Sequence, residues 1–442
     1  MLPSVLNIGP FSIHSLRVSM ARAGAALAGR HRPGHSRRRM LAALVALGMA
    51  GGGATWSGLA TAQTANPGAQ PLRIGLIGPF TGPSADFGMP MHNGVRLAVD
   101  EINAAGGYLG RPLELVVKDD TAKPDVGRKL SEELVADKVA ATIGFCNTGV
   151  AQQSLEVFQN ARIPLLIPCA TGTPLTSKYP APESYIFRTS ARDAIQAPFI
   201  VQDIAKRGWT QVAVFADTTG YGEAGLKDVE AALAARQLKP VYVARFATGV
   251  KDLGPELQAA RQAGANVIVG YTLGPENAVI AKGRKAMKWD VPFVGPWTLS
   301  FPFFIDGAKE AAEGALMVQT FIAEPSNERR ASFLANYARK FNATKISMPV
   351  AAAQGYDTAY LLMYALFGVR ATQLDGPAIK TALENIQRNY YGVVATYEKP
   401  FSASDKDAVS ANMLYLGQVK NGAVTFAYPE DAKRNLFVQR KQ

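Results

Sequence analysis

Histidine and cysteine are scarce in this chain of 442 residues, which contains four His and two Cys. Three of the four His lie before residue 36, so that His92 alone serves the rest of the chain. This scarcity nearly excludes His-based metal sites and argues against a Ser-His-Asp catalytic site. The two cysteines, Cys146 and Cys169, lack the spacing of a zinc site, and we expect free thiols.

Acidic residues are absent from the first 62 positions, which carry seven Arg. Residues 36–41 (SRRRML) resemble a twin-arginine motif, an uncharged run follows, and Ala60-Thr61-Ala62 has the small-x-small pattern of a cleavage site. We therefore expect residues 1–62 to be an export signal cleaved near Ala62, residues 63–71 to be a linker, and the mature protein to be periplasmic. An uncleaved membrane anchor is the alternative, although glycines between 48 and 58 dilute the apolar run.

Charge of one sign is not concentrated in the remainder of the chain. Beyond residue 62 there are 40 basic and 35 acidic side chains, and the basic ones are scattered. This pattern is typical of a solvated surface and predicts no nucleic-acid partner. No later segment is long and apolar enough to predict a membrane span.

What the chain does have is an alternation of β-like and helical segments. Four apolar β-like runs alternate with three helical segments between residues 71 and 167, and a second alternating series runs from about 190 to 294. Three helical segments follow, and Lys420-Asn421-Gly422-Ala423 is a hairpin signal. The pattern predicts an α/β fold with parallel sheets in two lobes.

Ligands in parallel sheets bind beyond the carboxyl ends of the strands. The loops at these ends are 80–88, 146–149 and 169–173 in the first lobe, and 217–222, 271–276 and 295–299 in the second. Aromatic and hydroxyl side chains in these loops suit a small, partly apolar anion. They include Phe87, Thr148, Thr171, Tyr221, Tyr271 and Trp297.

The stretch around Thr148 is the strongest single candidate for an anion site. A β-like run ends at Phe145, a short polar turn follows, and a helix is predicted from Val150 to Ala161. The first N–H groups of a helix lack partners and attract anions, and the Thr148 hydroxyl adds a donor. The alternative is that Thr148 only caps this helix.

Six motifs together resemble those of a known family, over residue 72 to about residue 426. The family comprises the periplasmic substrate-binding proteins of hydrophobic (branched-chain) amino-acid ABC transporters, of the leucine/isoleucine/valine-binding type. The motifs are IGLIGPFTGP at 74–83, AVDEINAAGG at 98–107, KDD at 118–120, IPCAT at 167–171, YGE at 221–223 and GYD at 355–357.

The resemblance implies a type I periplasmic binding protein, or Venus-flytrap, with two Rossmann-like lobes and parallel sheets joined by three crossovers. By this pattern, lobe one comprises residues 72–189 and 322–414, and lobe two comprises residues 190–321 and 415–442. The implied protein is a monomer that catalyses nothing and needs no cofactor. Its partners are a small amino acid or carboxylate and the membrane permease of an ABC transporter.

The resemblance also implies roles for site residues. The ligand carboxylate would bind at Thr148 and Thr171, the carbonyl of Cys169 would accept from an ammonium group, and Tyr221 would close from lobe two. Phe87, Cys146, Tyr271 and Trp297 complete the expected ligand-binding set.

Trp297 departs from the family pattern, because amino-acid-binding relatives commonly carry Glu at this position. A buried ammonium group needs a counter-charge or good acceptors. Trp297 therefore leaves two ligand classes open, namely an aliphatic amino acid and an aromatic or other carboxylate without an amino group.

Two other functions fit parts of the sequence. Gly220 to Gly225 matches G-x-G-x-x-G, with Arg245 twenty residues further on, as in an exported NADP-dependent oxidoreductase. Against this, residues 217–219 separate the strand from the first Gly, and Asp217 would face the phosphates. A ligand sensor for a separate membrane partner is the other alternative.

Overall fold

The computed structural model describes residues 69–369, 373–435 and 440–441. The predicted export signal and the first part of the predicted linker lie outside the described residues. Within those ranges, no helix is long and apolar enough to cross a membrane. The same ranges hold no group of three or more His, Cys, Asp or Glu side chains that could bind a metal ion.

Residues 72–188 form a parallel sheet covered by helices. The elements are β1 (Leu72–Gly78), α1 (Ala85–Ala104), β2 (Leu113–Asp119), α2 (Pro124–Ala136), β3 (Ala141–Gly144), α3 (Thr148–Ala161), β4 (Leu165–Ile167), α4 (Pro174–Ser177) and β5 (Ile186–Arg188). Their order in the sheet is β2-β1-β3-β4-β5, and every pairing is parallel. β3, β4 and β5 are buried throughout, as expected where helices cover both faces of a sheet.

Residues 193–319 repeat the alternation of helix and strand. The elements are α5 (Asp193–Lys206), β6 (Val212–Asp217), α6 (Gly220–Ala234), β7 (Tyr242–Phe246), α7 (Gly254–Gln262), β8 (Val267–Tyr271), α8 (Glu276–Ala286), β9 (Phe293–Gly295), α9 (Pro302–Ala308) and β10 (Leu316–Gln319). A short 3-10 turn from Trp297 to Ser300 links β9 to α9.

The chain then returns to the first sheet. The elements are α10 (Glu328–Phe341), α11 (Pro349–Gly368), α12 (Gly376–Glu384), β11 (Tyr390–Tyr391) and β12 (Thr396–Tyr397). α11 crosses α1 with backbones in contact, because a Cβ on Gly94 would lie 2.0 Å from the carbonyl oxygen of Ala352. Likewise, a Cβ on Gly355 would lie 2.6 Å from the carbonyl oxygen of Met91. Glycine at these two positions therefore fixes α11 on the helical layer of the first sheet.

The last segment rejoins the second sheet. It contains β13 (Tyr415–Lys420), β14 (Ala423–Phe426) and α13 (Pro429–Arg434). The strand order of this seven-stranded sheet is β14-β13-β10-β9-β8-β6-β7, and β13 is antiparallel to both β10 and β14. The hairpin predicted at Lys420–Ala423 is confirmed, since these two residues pair directly.

The predicted α/β class with two lobes built on parallel sheets is confirmed, with β13 and β14 as antiparallel strands at one edge of the second sheet. The chain passes between the sheets after β5, after β10 and before β13. Four elements were not predicted, namely the strand β5 and the short helices α4, α9 and α13. β5 has three residues, too few for a visible periodicity, and α9 begins within an aromatic stretch. The lobe boundaries given above remain a prediction.

Candidate functional site

Loops at the carboxyl ends of the two sheets contact each other directly. The hydroxyl of Thr173, in the loop after β4, donates to Asp228 Oδ2 of α6 at 2.6 Å. The first turns of α3 and α6 also meet, because a Cβ on Gly220 would lie 3.1 Å from the Cα of Gly149. The two lobes are therefore closed on one another at the place where a ligand of a parallel sheet binds.

The Thr148 loop is built by a strained turn after β3. Phe145 has φ +70°, in the left-handed region that few non-glycine residues adopt, and its side chain is buried. Asn147 occupies the N-cap position of α3, and Thr148 is the first helical residue, so Thr148 is not the cap. The hydroxyl oxygen of Thr148 instead accepts from the Gly172 N–H at 3.2 Å. Because a hydroxyl also donates one hydrogen bond, Thr148 can still donate to a ligand.

The Thr171 loop is held from below by a buried guanidinium. Arg188 Nη1 donates to the carbonyl oxygens of Thr171 and Gly172 at 2.9 and 2.7 Å. Arg188 Nε pairs with Asp407 Oδ1 at 2.6 Å, and the Arg188 side chain is fully buried. Burial acts to raise the pKa of Asp407, but the charge and hydrogen bonds of Arg188 hold it below its ordinary value.

Aromatic side chains form the wall contributed by the second sheet. The Tyr221 and Tyr271 rings lie 5.2 Å apart, and the Trp297 and Phe301 rings meet edge to face at 4.9 Å. Gly225 makes room for this wall, since a Cβ there would lie 1.9 Å from a Tyr271 ring carbon. Tyr221, Tyr271 and Trp297 are each at most 5% exposed.

A set of buried polar atoms at this junction lacks hydrogen-bond partners within the described part of the chain. The set draws on both sheets and on α11, and consists of Thr171 Oγ1, Asp193 Oδ2, Tyr221 OH, Tyr271 OH, Trp297 Nε1, Thr298 Oγ1 and Gln354 Oε1. A buried polar atom without a partner costs about 1–3 kcal/mol, so such a concentration indicates a ligand site. Most of these groups are donors, which suits an anionic ligand.

Asp193 is the acid in this set. It opens α5 and is fully buried. Burial raises its pKa to about 7, with a contribution from the charge of Asp228, while the Thr171 hydroxyl, the Arg188 charge and the Tyr271 hydroxyl act in the opposite direction. A carboxyl group with this pKa can change protonation state when a ligand binds beside it.

The remaining predicted site residues are Phe87, Cys146 and Cys169, and all three are buried. Phe87 is buried with its ring 5.0 Å from that of Phe301, on the second lobe. The Cys146 thiol lies 3.9 Å from the Phe87 carbonyl oxygen, and Cys146 and Cys169 are both buried and free. Burial raises the pKa of the Cys146 thiol well above its ordinary value, and the Cys169 thiol adds to this shift.

The glycines of the G-x-G-x-x-G match have packing roles. Gly220 faces Gly149, and a Cβ on Gly222 would lie 2.1 Å from the Asp217 carbonyl oxygen. Arg245, the expected 2′-phosphate ligand, pairs with Glu223. Asp217 accepts from the Thr219 backbone and side chain, so it shapes the turn.

Sequence reasoning missed Asp193, Thr298 and Gln354. Asp193 lies shortly after β5. Had β5 been predicted, the loop between β5 and α5 would have been among the strand-end loops expected to bind a ligand. Thr298 is next to the predicted Trp297. Gln354 lies inside α11, where a helical pattern gives no sign that this amide is buried.

Comparison with known proteins gives concordant results. The model of the periplasmic binding protein family matches residues 71–423. A leucine-, isoleucine-, valine-, threonine- and alanine-binding protein of Pseudomonas aeruginosa is 27% identical over 263 residues, which cover 59% of this chain and 70% of that protein.

Two solved structures share the fold. A type 1 periplasmic binding protein from Bordetella pertussis Tohama I superposes with a TM-score of 0.73 at 22% identity, covering 81% of this chain and 99% of that one. An ABC-transporter solute-binding protein from R. palustris in complex with benzoate gives a TM-score of 0.68 at 20% identity, covering 81% and 95%.

Proposed function

The chain belongs to the periplasmic binding protein family, and we propose that it is the exported solute-binding component of an ABC importer. The observation that carries this proposal is the set of buried, partnerless polar atoms contributed by both lobes. The bound solute is a small amino acid or carboxylate, as in the Pseudomonas relative and in the benzoate complex. The protein itself is not an enzyme; it delivers its solute to a membrane permease.

The proposed lobes are residues 72–189 with 322–414, and residues 190–321 with 415–442. The five-stranded sheet falls within the first and the seven-stranded sheet within the second, which supports this division. Ligand favours the closed arrangement of the lobes because it contacts both of them. The export signal at residues 1–62 and a periplasmic location belong to the same proposal.

The proposed carboxylate site lies on lobe one. Thr148 and Thr171 donate hydroxyl hydrogens, and the first N–H groups of α3 contribute partial positive charge. On lobe two, Tyr221, Tyr271 and Trp297 cover the apolar part of the ligand. Phe87, Cys146 and Cys169 shape the floor, with the Cys169 carbonyl as a further acceptor.

Asp193 is the proposed acceptor for an amino group on the ligand. Its Oδ2 atom makes no hydrogen bond of normal geometry within the described residues, and the side chain is fully buried beside the Thr171 and Tyr271 hydroxyls. The resemblance places Trp297 where amino-acid-binding relatives commonly carry Glu, and Asp193 is the carboxylate proposed to act in its place.

The direct test is mass spectrometry of any small molecule that remains bound through purification under native conditions. We expect an amino acid or another small carboxylate, whose affinity is then measured by calorimetry. Recovery of a dinucleotide, or saturable NADPH binding in a fluorescence titration, would contradict the proposal and favour the oxidoreductase alternative.

Thr148→Val should weaken binding of the recovered solute by about 1.5–3 kcal/mol, because it removes a hydroxyl donor and leaves a carboxylate under-paired. Calorimetric titration measures the change. Thr148→Ser is the matched control, since it keeps the hydroxyl and should bind within about threefold of the wild type. An unchanged dissociation constant for Thr148→Val would rule out the assigned role.

Gly220→Val should oppose closure of the lobes. Its Cβ would lie 3.1 Å from the Gly149 Cα, and overpacking of this kind costs about 1–3 kcal/mol. We expect affinity to fall about 5- to 100-fold, with the unfolding midpoint little changed. Glu230→Val, at an exposed position of the same helix, is the control. Equal affinities for the two variants would show that this contact does not form on binding.

A further inference from the structure

A small cavity lies next to Thr171 and Trp297, at the inner end of the proposed ligand site. Its volume is about 10 Å³, close to the smallest space that holds one water molecule. Six of its nine lining residues are polar and none of the lining side chains is charged, while Ala191, Val318 and Val350 supply an apolar surface. The polar lining residues are Thr171, Gln196, Trp297, Gln319, Thr320 and Gln354.

Hydrogen bonding within the protein leaves three of these groups open. Gln354 Nε2 donates to Thr320 Oγ1 at 3.0 Å, whereas Gln354 Oε1 lacks a partner in the described structure. The Trp297 indole N–H and the Thr171 hydroxyl are likewise without partners there. All three side chains are at most 5% exposed, so bulk water does not satisfy them.

The side-chain amide of Gln196, by contrast, has protein partners for both its oxygen and its nitrogen. Its Oε1 accepts from the Trp297 backbone N–H at 3.2 Å, and its Nε2 donates to the Ala191 carbonyl at 2.8 Å and to Asp193 Oδ1 at 3.2 Å. This amide therefore holds the Trp297 backbone in place from α5 of the same lobe and leaves the cavity to the open groups.

We propose that this cavity is a subsite for a hydroxyl group of the solute, so that the preferred solutes are hydroxylated acids. The proposal rests on the function proposed above and narrows its ligand class. A hydroxyl donates one hydrogen bond and accepts two, so it can donate to Gln354 Oε1 and accept from the Trp297 N–H, while Thr171 keeps its hydrogen for the ligand carboxylate. If the Gln354 amide is turned by 180°, its NH₂ becomes the open group, and a hydroxyl satisfies that arrangement as well.

Other groups fit the cavity less well. A methyl group leaves the Gln354 carbonyl and the Trp297 N–H buried and unpaired. A carboxylate or ammonium group finds no counter-charge among the lining side chains. Because sites that hydrogen-bond a substrate hydroxyl discriminate strongly against analogues that lack it, the hydroxyl should be worth at least about tenfold in affinity.

The experiment is calorimetric titration of the purified full-length protein, freed of bound solute, with pairs of acids that differ by one hydroxyl. The pairs are threonine with valine, tyrosine with phenylalanine, and 4-hydroxybenzoate with benzoate. In any pair that binds, we expect the hydroxylated member to bind at least about tenfold more tightly. Gln354→Leu should reduce this ratio to below about threefold or reverse it.

Further variants make the result decisive. Trp297→Phe removes the indole donor independently and covers the case in which Gln354→Leu fails to fold, as judged by circular dichroism. Gln153→Leu, at an exposed position of α3, should leave the ratio unchanged.

Three outcomes overturn the subsite. Equal or tighter binding of the member without the hydroxyl overturns it and leaves the proposed function standing. A hydroxyl preference that survives in both Gln354→Leu and Trp297→Phe also overturns it. Absence of binding in every pair also overturns it, whereas the proposed function is tested separately by the retained solute and by leucine.

Discussion

Arg188→Met should lower the free energy of unfolding by about 3–5 kcal/mol, because it leaves the buried Asp407 carboxylate without its main partner. The guanidinium is fully buried and bonds Asp407, Thr176 and the carbonyls of the Thr171 loop. Methionine fills a similar length but supplies no donor. Urea denaturation monitored by circular dichroism measures the loss.

Arg192→Met is the matched control. Arg192 contacts the other oxygen of Asp407 at 3.2 Å, but its side chain is 43% exposed. An exposed ion pair contributes about 0–1 kcal/mol, so this variant should remain close to the wild type. Equal losses of unfolding free energy in the two variants would show that the burial of Arg188 does not determine its contribution to stability.

The effect of Arg188 should also depend on pH. The folded-state pKa of Asp407 lies below the ordinary value of 3.8, so the stabilisation is present above that value. It is lost as pH falls through the folded pKa. The difference in stability between the wild type and Arg188→Met should therefore narrow in acid. A difference that widens between pH 5 and pH 3 would contradict this assignment.

Asp193→Asn should weaken binding of an amino acid such as leucine by about 2–5 kcal/mol, because it removes the buried partner of the ligand ammonium group. In the wild type, the pKa of Asp193 is about 7, and only the ionised form pairs with an ammonium group. Leucine should therefore bind more tightly at pH 8 than at pH 6, by up to about tenfold per pH unit below the pKa.

Benzoate, which has no amino group, should show the opposite dependence. Ionised Asp193 repels a second carboxylate, so benzoate affinity should rise as pH falls below about 7. Asp193→Asn should remove both pH dependences. Calorimetry of the two ligands at three pH values measures them, and flat profiles for both in the wild type would exclude Asp193 from the site.

The sequence was sufficient for the fold class and for the loops that meet at the junction. Thr171, Tyr221 and Trp297 follow strands whose apolar runs are clear in the sequence, and Tyr271 ends such a strand. These four residues carry four of the partnerless polar atoms. The prediction succeeded there because parallel strands place their carboxyl ends at one edge of the sheet. Residues at the ends of different strands therefore lie close together.

The site residues that were not predicted are brought to the site by elements whose sequences carry no clear pattern. Asp193 follows a three-residue strand, so its loop was not recognised as part of the ligand edge. Gln354 reaches the cavity from α11, which arrives only through close backbone contact with α1 at Gly94 and Gly355. Such interhelical approaches depend on tertiary packing, which helical periodicity does not report.

The position of β13 has a consequence for biosynthesis. β13 pairs with β10, although about a hundred residues that pack with the other sheet lie between them in the chain. During synthesis, β10 therefore remains an open edge strand until residues 415–420 have left the ribosome, and unpaired edges template aggregation. The sheet that carries half of the proposed binding site is therefore completed only by the last strands to be synthesised.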